Sequence, residues 1–164
     1  MFRFFSAALA SITKSILFPG PVSVPYSVVT DIRSYPLFLD GCESVEVLAS
    51  APSEESDEKD SRDGPELVTA KINVGFGGHA YEMTTRNQNR HLESVIMVML
   101  SGPFESFKGE WLFTSYGAQG CRIDIDISYA VSGILGKAIK LVQGNIVDKT
   151  VSSFTKRFDW ALSI

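Results

Sequence analysis

The chain has 164 residues, 45% hydrophobic and 21% charged, with a formal net charge of −4. That is enough for one domain with a sizeable core, and the acidic balance argues against DNA and against wide phosphate contact, which usually leaves a basic footprint. The two cysteines (Cys42, Cys121) lie far apart and the two histidines (His79, His91) join no cluster, which argues against a disulfide framework and a zinc site.

Met1 to Thr30 holds no acidic residue, carries Arg3 and Lys14, and is rich in Phe, Ala and Ser. Residues 1–21 therefore read as a targeting or flexible N-terminal segment, ahead of one folded domain over 22–164. Ile16 to Pro25, punctuated by Pro19, Gly20, Pro21 and Pro25, supplies one short edge strand at most. Val28 to Tyr35 reads as a short helix or turn, and Glu43 to Ala49 as a strand with Val45 and Val47 on one face. Ser53 to Glu66 is dense in Asp and Glu and predicts a solvated, flexible hairpin loop.

Leu67 to Phe76 alternates as a strand, and Gly75, Gly77 and Gly78 mark a turn rather than a phosphate loop, since no Lys-Ser/Thr follows. His79 to Asn89, Glu93 to Leu100, Phe107 to Thr114 and Cys121 to Ala130 repeat the pattern at short spacing, which predicts antiparallel hairpins. After Ser132, a plausible N-cap, the period changes to that of one long helix reaching the C-terminus. Its apolar set includes Leu135, Leu141, Val142, Ile146, Val147, Val151, Phe154 and Phe158. Gly136 and Gly144 weaken its interior, so something packs close there or the helix bends.

The fold class is therefore α+β, a curved antiparallel sheet wrapped around one C-terminal helix. The inward strand faces gather Met83, Met97, Met99, Phe107, Trp111, Phe113, Ile123, Ile125, Ile127 and Tyr129. These side chains either fill a core or line a cavity for an apolar ligand; methionines adapt to irregular ligand shapes. Catalysis finds little support: there is no Gly-x-Ser-x-Gly elbow and no nucleophile with a paired base, Asp124 and Asp126 alternate out to solvent, and His79 and His91 fall at strand ends. The chain reads as a non-enzyme.

Several short motifs occur together in order. Tyr35-Pro36-Leu37-Phe38-Leu39 with Gly41-Cys42, Thr84-Thr85-Arg86-Asn87-Gln88, Gly102-Pro103-Phe104, Gly109-x-Trp111-x-Phe113-Thr114 and Cys121-Arg122-Ile123 resemble the coenzyme Q-binding, START-like family, part of the polyketide cyclase/dehydrase and lipid transport superfamily. They are most similar to its bacterial branch, the ribosome association toxins. Val24-Pro25-Tyr26-Ser27 resembles the end of that family's first strand. Three departures stand out. The helix that normally follows this segment looks truncated or missing, Asp40 replaces the usual proline, and the acidic stretch lengthens a hairpin.

The resemblance implies a helix-grip fold. It also implies non-enzymatic binding of ubiquinone or a related polyprenyl quinone in the sheet–helix cavity, supporting respiratory electron transport, with no covalent cofactor. The candidate ligand contacts are Phe38, Leu39, Ile72, Val74, Met83, Met97, Met99, Trp111, Phe113, Ile125, Ile127, Leu135, Leu141 and Val142. Peripheral membrane contact fits such a ligand. The alternative is a toxin-like protein that binds the large ribosomal subunit and blocks subunit association, through Arg86, Arg90, Lys108 and the basic helix face. Localisation stays open between the cytoplasm at the inner membrane, for a bacterial protein, and the matrix side of the mitochondrial inner membrane, for a eukaryotic one.

Overall fold

Six period-two segments and one strand upstream of them form a single antiparallel sheet. The structure, a computed structural model, describes residues 9–52 and 64–164. Among these residues the strands are β1 (Ala10–Phe18), β2 (Cys42–Pro52), β3 (Glu66–Phe76), β4 (His79–Arg90), β5 (Ser94–Ser101), β6 (Ser106–Ser115) and β7 (Cys121–Ala130), in the sheet order β1-β7-β6-β5-β4-β3-β2. The α-helices among the described residues are α1 (Ser23–Thr30), the short α2 (Tyr35–Phe38) and the 31-residue α3 (Gly133–Ser163), which runs along the concave face; a 3-10 turn, Ile32–Ser34, joins the first two. The helix-grip architecture is therefore present. The acidic stretch falls outside the described residues, apart from 64–66.

Turn chemistry sets the register. Gly77 and Gly78 both have positive φ, 59° and 78°, and join the paired Phe76 and His79 as a two-residue hairpin turn. Such a turn needs φ > 0 at both centres, which Gly adopts without Cβ strain. Along β7, Cys121, Ile123 and Ile125 are buried, while Arg122, Asp124 and Asp126 face out. There Arg122 holds Asp124 at 2.9 Å, and Ser15 of β1 donates to the same carboxylate.

Two expectations about the N-terminal third are corrected. The helix that the resemblance suggested was missing is α1, and Val24-Pro25-Tyr26-Ser27 lies inside it rather than at the end of a strand. Pro25 occupies the first turn, where its lack of an N–H costs no intrahelical bond. The first strand lies upstream: Ala10 to Phe18 pairs residue by residue with Tyr129 to Cys121. The folded domain thus reaches back at least to Ala10, well before residue 22, because Ile12, Ile16 and Phe18 point inward while Ser11 and Ser15 reach Asp126 and Asp124. Residues 1–8 lie outside the described residues.

The core sits under the second half of α3. Phe154 and Phe158 are buried, and Phe154 packs edge-on against Trp111 at 4.6 Å and against Tyr35 and Phe38 at 5.4 Å each. Phe18 closes the cluster against Phe158. Val29, Ile32 and Ile123 belong to the same buried cluster. Burial pushes the Tyr35 phenol well above its ordinary range, and its hydroxyl donates to the Val29 carbonyl.

Candidate functional site

The same alternation that builds the core leaves space at the other end of the sheet, under the first half of α3. A cavity of about 300 Å³ opens there. β1 contributes Ile12 and Lys14; the β3–β4 hairpin gives Val74, Phe76, Tyr81 and Met83; the β5–β6 turn gives Pro103 and Phe104. Phe107, Trp111, Ile125, Ile127 and Tyr129 form the floor. Leu135, Ile139, Gln143, Ile146, Val147, Thr150 and Val151 of α3 form the roof.

The polar groups in this wall are largely engaged elsewhere. Tyr129 Oη donates to Gln143 Oε1 at 2.7 Å, Thr150 Oγ1 donates to the Ile146 carbonyl at 2.8 Å, and Lys14 Nζ lies 3.4 Å from Asp148 Oδ1. What remains exposed to the cavity is almost wholly hydrocarbon. Burial raises the Tyr129 phenol above its ordinary value, which keeps it a neutral donor at physiological pH. Such a space binds apolar matter by exclusion of water and offers a polar head group little to hold.

Among the candidate contacts, Val74, Met83, Trp111, Ile125, Ile127 and Leu135 line the cavity. Phe38, Leu39, Ile72 and Phe113 belong to the core or pack against it. Met99 lies against the Gly102 turn beside Met83, where an added Cβ on Gly102 would come within 2.8 Å of its sulfur. Met97 sits opposite Gly109 and Asn87, outside the lining. Leu141, 87% exposed, turns away from the cavity, and Val142 is not part of its lining. The helix phase explains this. Stepping back from Phe158 and Phe154 by three or four residues gives Val151, Val147, Gln143, Ile139 and Leu135. Gln143 interrupts the apolar pattern and hides Ile139, while Leu141 draws attention to the wrong face.

Catalytic chemistry finds few groups to use. Burial raises the thiols of Cys42 and Cys121 above their ordinary value, which favours the unreactive form. On β4, Thr85, Asn87 and Asn89 are buried, with a side-chain oxygen of each lacking a hydrogen-bond partner among the described residues. None of the three lines the apolar cavity. Asn89 instead borders a smaller polar cleft, with Thr30, Asp31, Arg33, Ser50 and Glu66. No group of three or more His, Cys, Asp or Glu among the described residues could hold a metal.

Residues 18–155 match the family model described as polyketide cyclase / dehydrase and lipid transport. The chain belongs to that family. Among its relatives, ribosome association toxin RatA of Escherichia coli is 27% identical over 157 residues, covering 96% of this chain and 89% of that protein. Ribosome association toxin RatA of Pseudomonas aeruginosa is 32% identical over 127 residues, covering 77% and 79%. A START superfamily protein from Mycobacterium smegmatis has the same fold, with a TM-score of 0.70 at 14% identity over 92% of this chain and 97% of that one. In this chain the apolar cavity lies between the sheet and its last helix.

Proposed function

We propose that this chain is a non-catalytic, ribosome-associating protein of the ribosome association toxin type, binding the large subunit and hindering subunit joining. The observation that carries this reading is the similarity, over 96% of this chain in one case, to relatives of that name. The outer sheet face supports it locally. Arg86 and Arg90 are exposed on β4, and Lys108 shares their face through the Arg86–Val98–Lys108 cross-strand row. A net charge of −4 makes such contact local and salt-sensitive. Co-sedimentation with purified large subunits tests it. The protein is expected in the subunit fraction at low salt and released at high salt; protein that stays at the top of the gradient at low salt overturns the reading.

The cavity favours a second reading, compatible with the first: reversible binding of an apolar lipid, with a polyprenyl quinone as the specific candidate. A volume of about 300 Å³ lies at the small end of ligand sites. A long polyprenyl chain would therefore be enclosed only in part. Organic extraction of the natively purified protein, followed by mass spectrometry, is expected to release one apolar molecule per chain. An empty extract, together with no uptake of added quinone, overturns this reading.

A further inference from the structure

The first half of α3 is apolar on two opposite faces. Leu135, Ile139 and Val147 turn toward the cavity. Ile134 and Leu141, seven residues apart and hence on one stripe, turn outward and are 90% and 87% exposed. Single exposed aliphatic residues are ordinary; here the charges around them add information. Lys137 and Lys140 are exposed beside this stripe, and Lys149 follows further along. From Gly133 to Lys149 the one acidic residue is Asp148, which Lys14 engages at 3.4 Å. This basic stretch runs against a chain whose net charge is −4.

We propose that this face docks on an anionic lipid bilayer, with Ile134 and Leu141 entering the boundary between head groups and acyl chains and Lys137 and Lys140 meeting lipid phosphates. Lysines flanking aliphatic side chains suit a helix lying in that plane. A second copy of the chain suits it less, because a two-fold contact pairs the same patch on both chains and would bring the two Lys137 and Lys140 sets together. A nucleic acid would use the lysines but leave Ile134 and Leu141 without a role. Docking here would bring the cavity roof to the lipid surface.

The test is flotation of the full chain with vesicles of phosphatidylcholine, alone or with about 30% phosphatidylglycerol. Binding is expected only with the anionic vesicles, and it should weaken at about 0.5 M salt. Ile134→Ser with Leu141→Ser should lower the bound fraction by about tenfold. Lys137→Gln with Lys140→Gln should reduce it to the level seen with neutral vesicles. All four side chains are solvent-exposed, so circular dichroism and the thermal midpoint should match the parent protein. A parent that stays with the soluble fraction overturns the proposal, as does an aliphatic variant that binds like the parent. A concentration-dependent dimer abolished by Leu141→Ser would assign the face to a second copy and equally overturn it. Uptake of an apolar fluorescent probe, measured without vesicles, should be unchanged in both variants, so failure of docking and failure of the cavity reading are told apart.

Discussion

The two halves of α3 are held in different ways. The second half plants Phe154 and Phe158 in an aromatic cluster with Phe18, Tyr35, Phe38 and Trp111. The first half spans a cavity and is tied to the sheet by the Tyr129–Gln143 hydrogen bond and the Lys14–Asp148 ion pair. One continuous helix therefore joins an anchor to a roof. Packing energy is concentrated in the anchor, while the roof has fewer buried apolar contacts to hold it.

Substitutions at each end should separate these roles. The largest effect belongs to the anchor: Phe158→Ala, at a fully buried position, should cost about 3–5 kcal/mol in urea unfolding. A loss under about 1 kcal/mol would mean that Phe158 does not anchor the helix. Next comes the cavity itself. Ile127→Trp fills space in the floor beneath Gln143 and its neighbours, and should lower uptake of an apolar probe by about tenfold or more while costing at most about 1–3 kcal/mol. Unchanged uptake would place the probe elsewhere. A smaller effect is expected from Tyr129→Phe, which removes the bond to Gln143. It should cost about 0.5–1.5 kcal/mol and speed amide exchange between Gly133 and Ile146 but not around Phe158.

Gly144→Ala should act in the opposite direction. A Cβ there would meet nothing within 4 Å, so the substitution should add about 0.5–1 kcal/mol by stiffening the helix. Slower probe exchange with unchanged probe affinity would show that the glycine serves motion of the roof. The smallest effect concerns acid. Ser15, then Arg122, hold the Asp124 carboxyl below its ordinary value of 3.8. A carboxyl depressed in the folded state stabilises above its unfolded value, and that contribution fades as pH falls through the folded one. The β1–β7 seam should therefore weaken slightly below pH about 4, and Asp124→Asn should flatten that part of the acid-unfolding curve.

The strands and the long helix were legible because alternation and helical periodicity are local signals carried by many residues: Cys121 to Ala130 needed no tertiary information. The first strand was not, because Ser11, Thr13 and Ser15 interrupt the apolar run and the prolines after Phe18 pull attention downstream. Helix α1 was hidden by Pro25, which reads as a breaker until its first-turn position is known. The cavity floor at Trp111, Ile125 and Ile127 followed from strand alternation. Of its roof only Leu135 was legible, since Gln143 and Thr150 on the inner face and Leu141 on the outer face invert the usual sorting of polar and apolar residues. Only the anchor at Phe154 and Phe158 fixes the phase.

The placement of β1 beside β7 also governs how the chain is born. Ser11 and its partner Asp126 are 115 residues apart, so β1 leaves the ribosome long before the strand it pairs with. At typical synthesis rates that wait lasts roughly 5–20 s. Throughout it Ile12, Ile16 and Phe18 have no sheet to join, while β2 through β6 can already close hairpin by hairpin. Closure of the grip is thus a late, long-range event in biogenesis, and a chain halted before Cys121 carries an orphan apolar strand suited to chaperone capture.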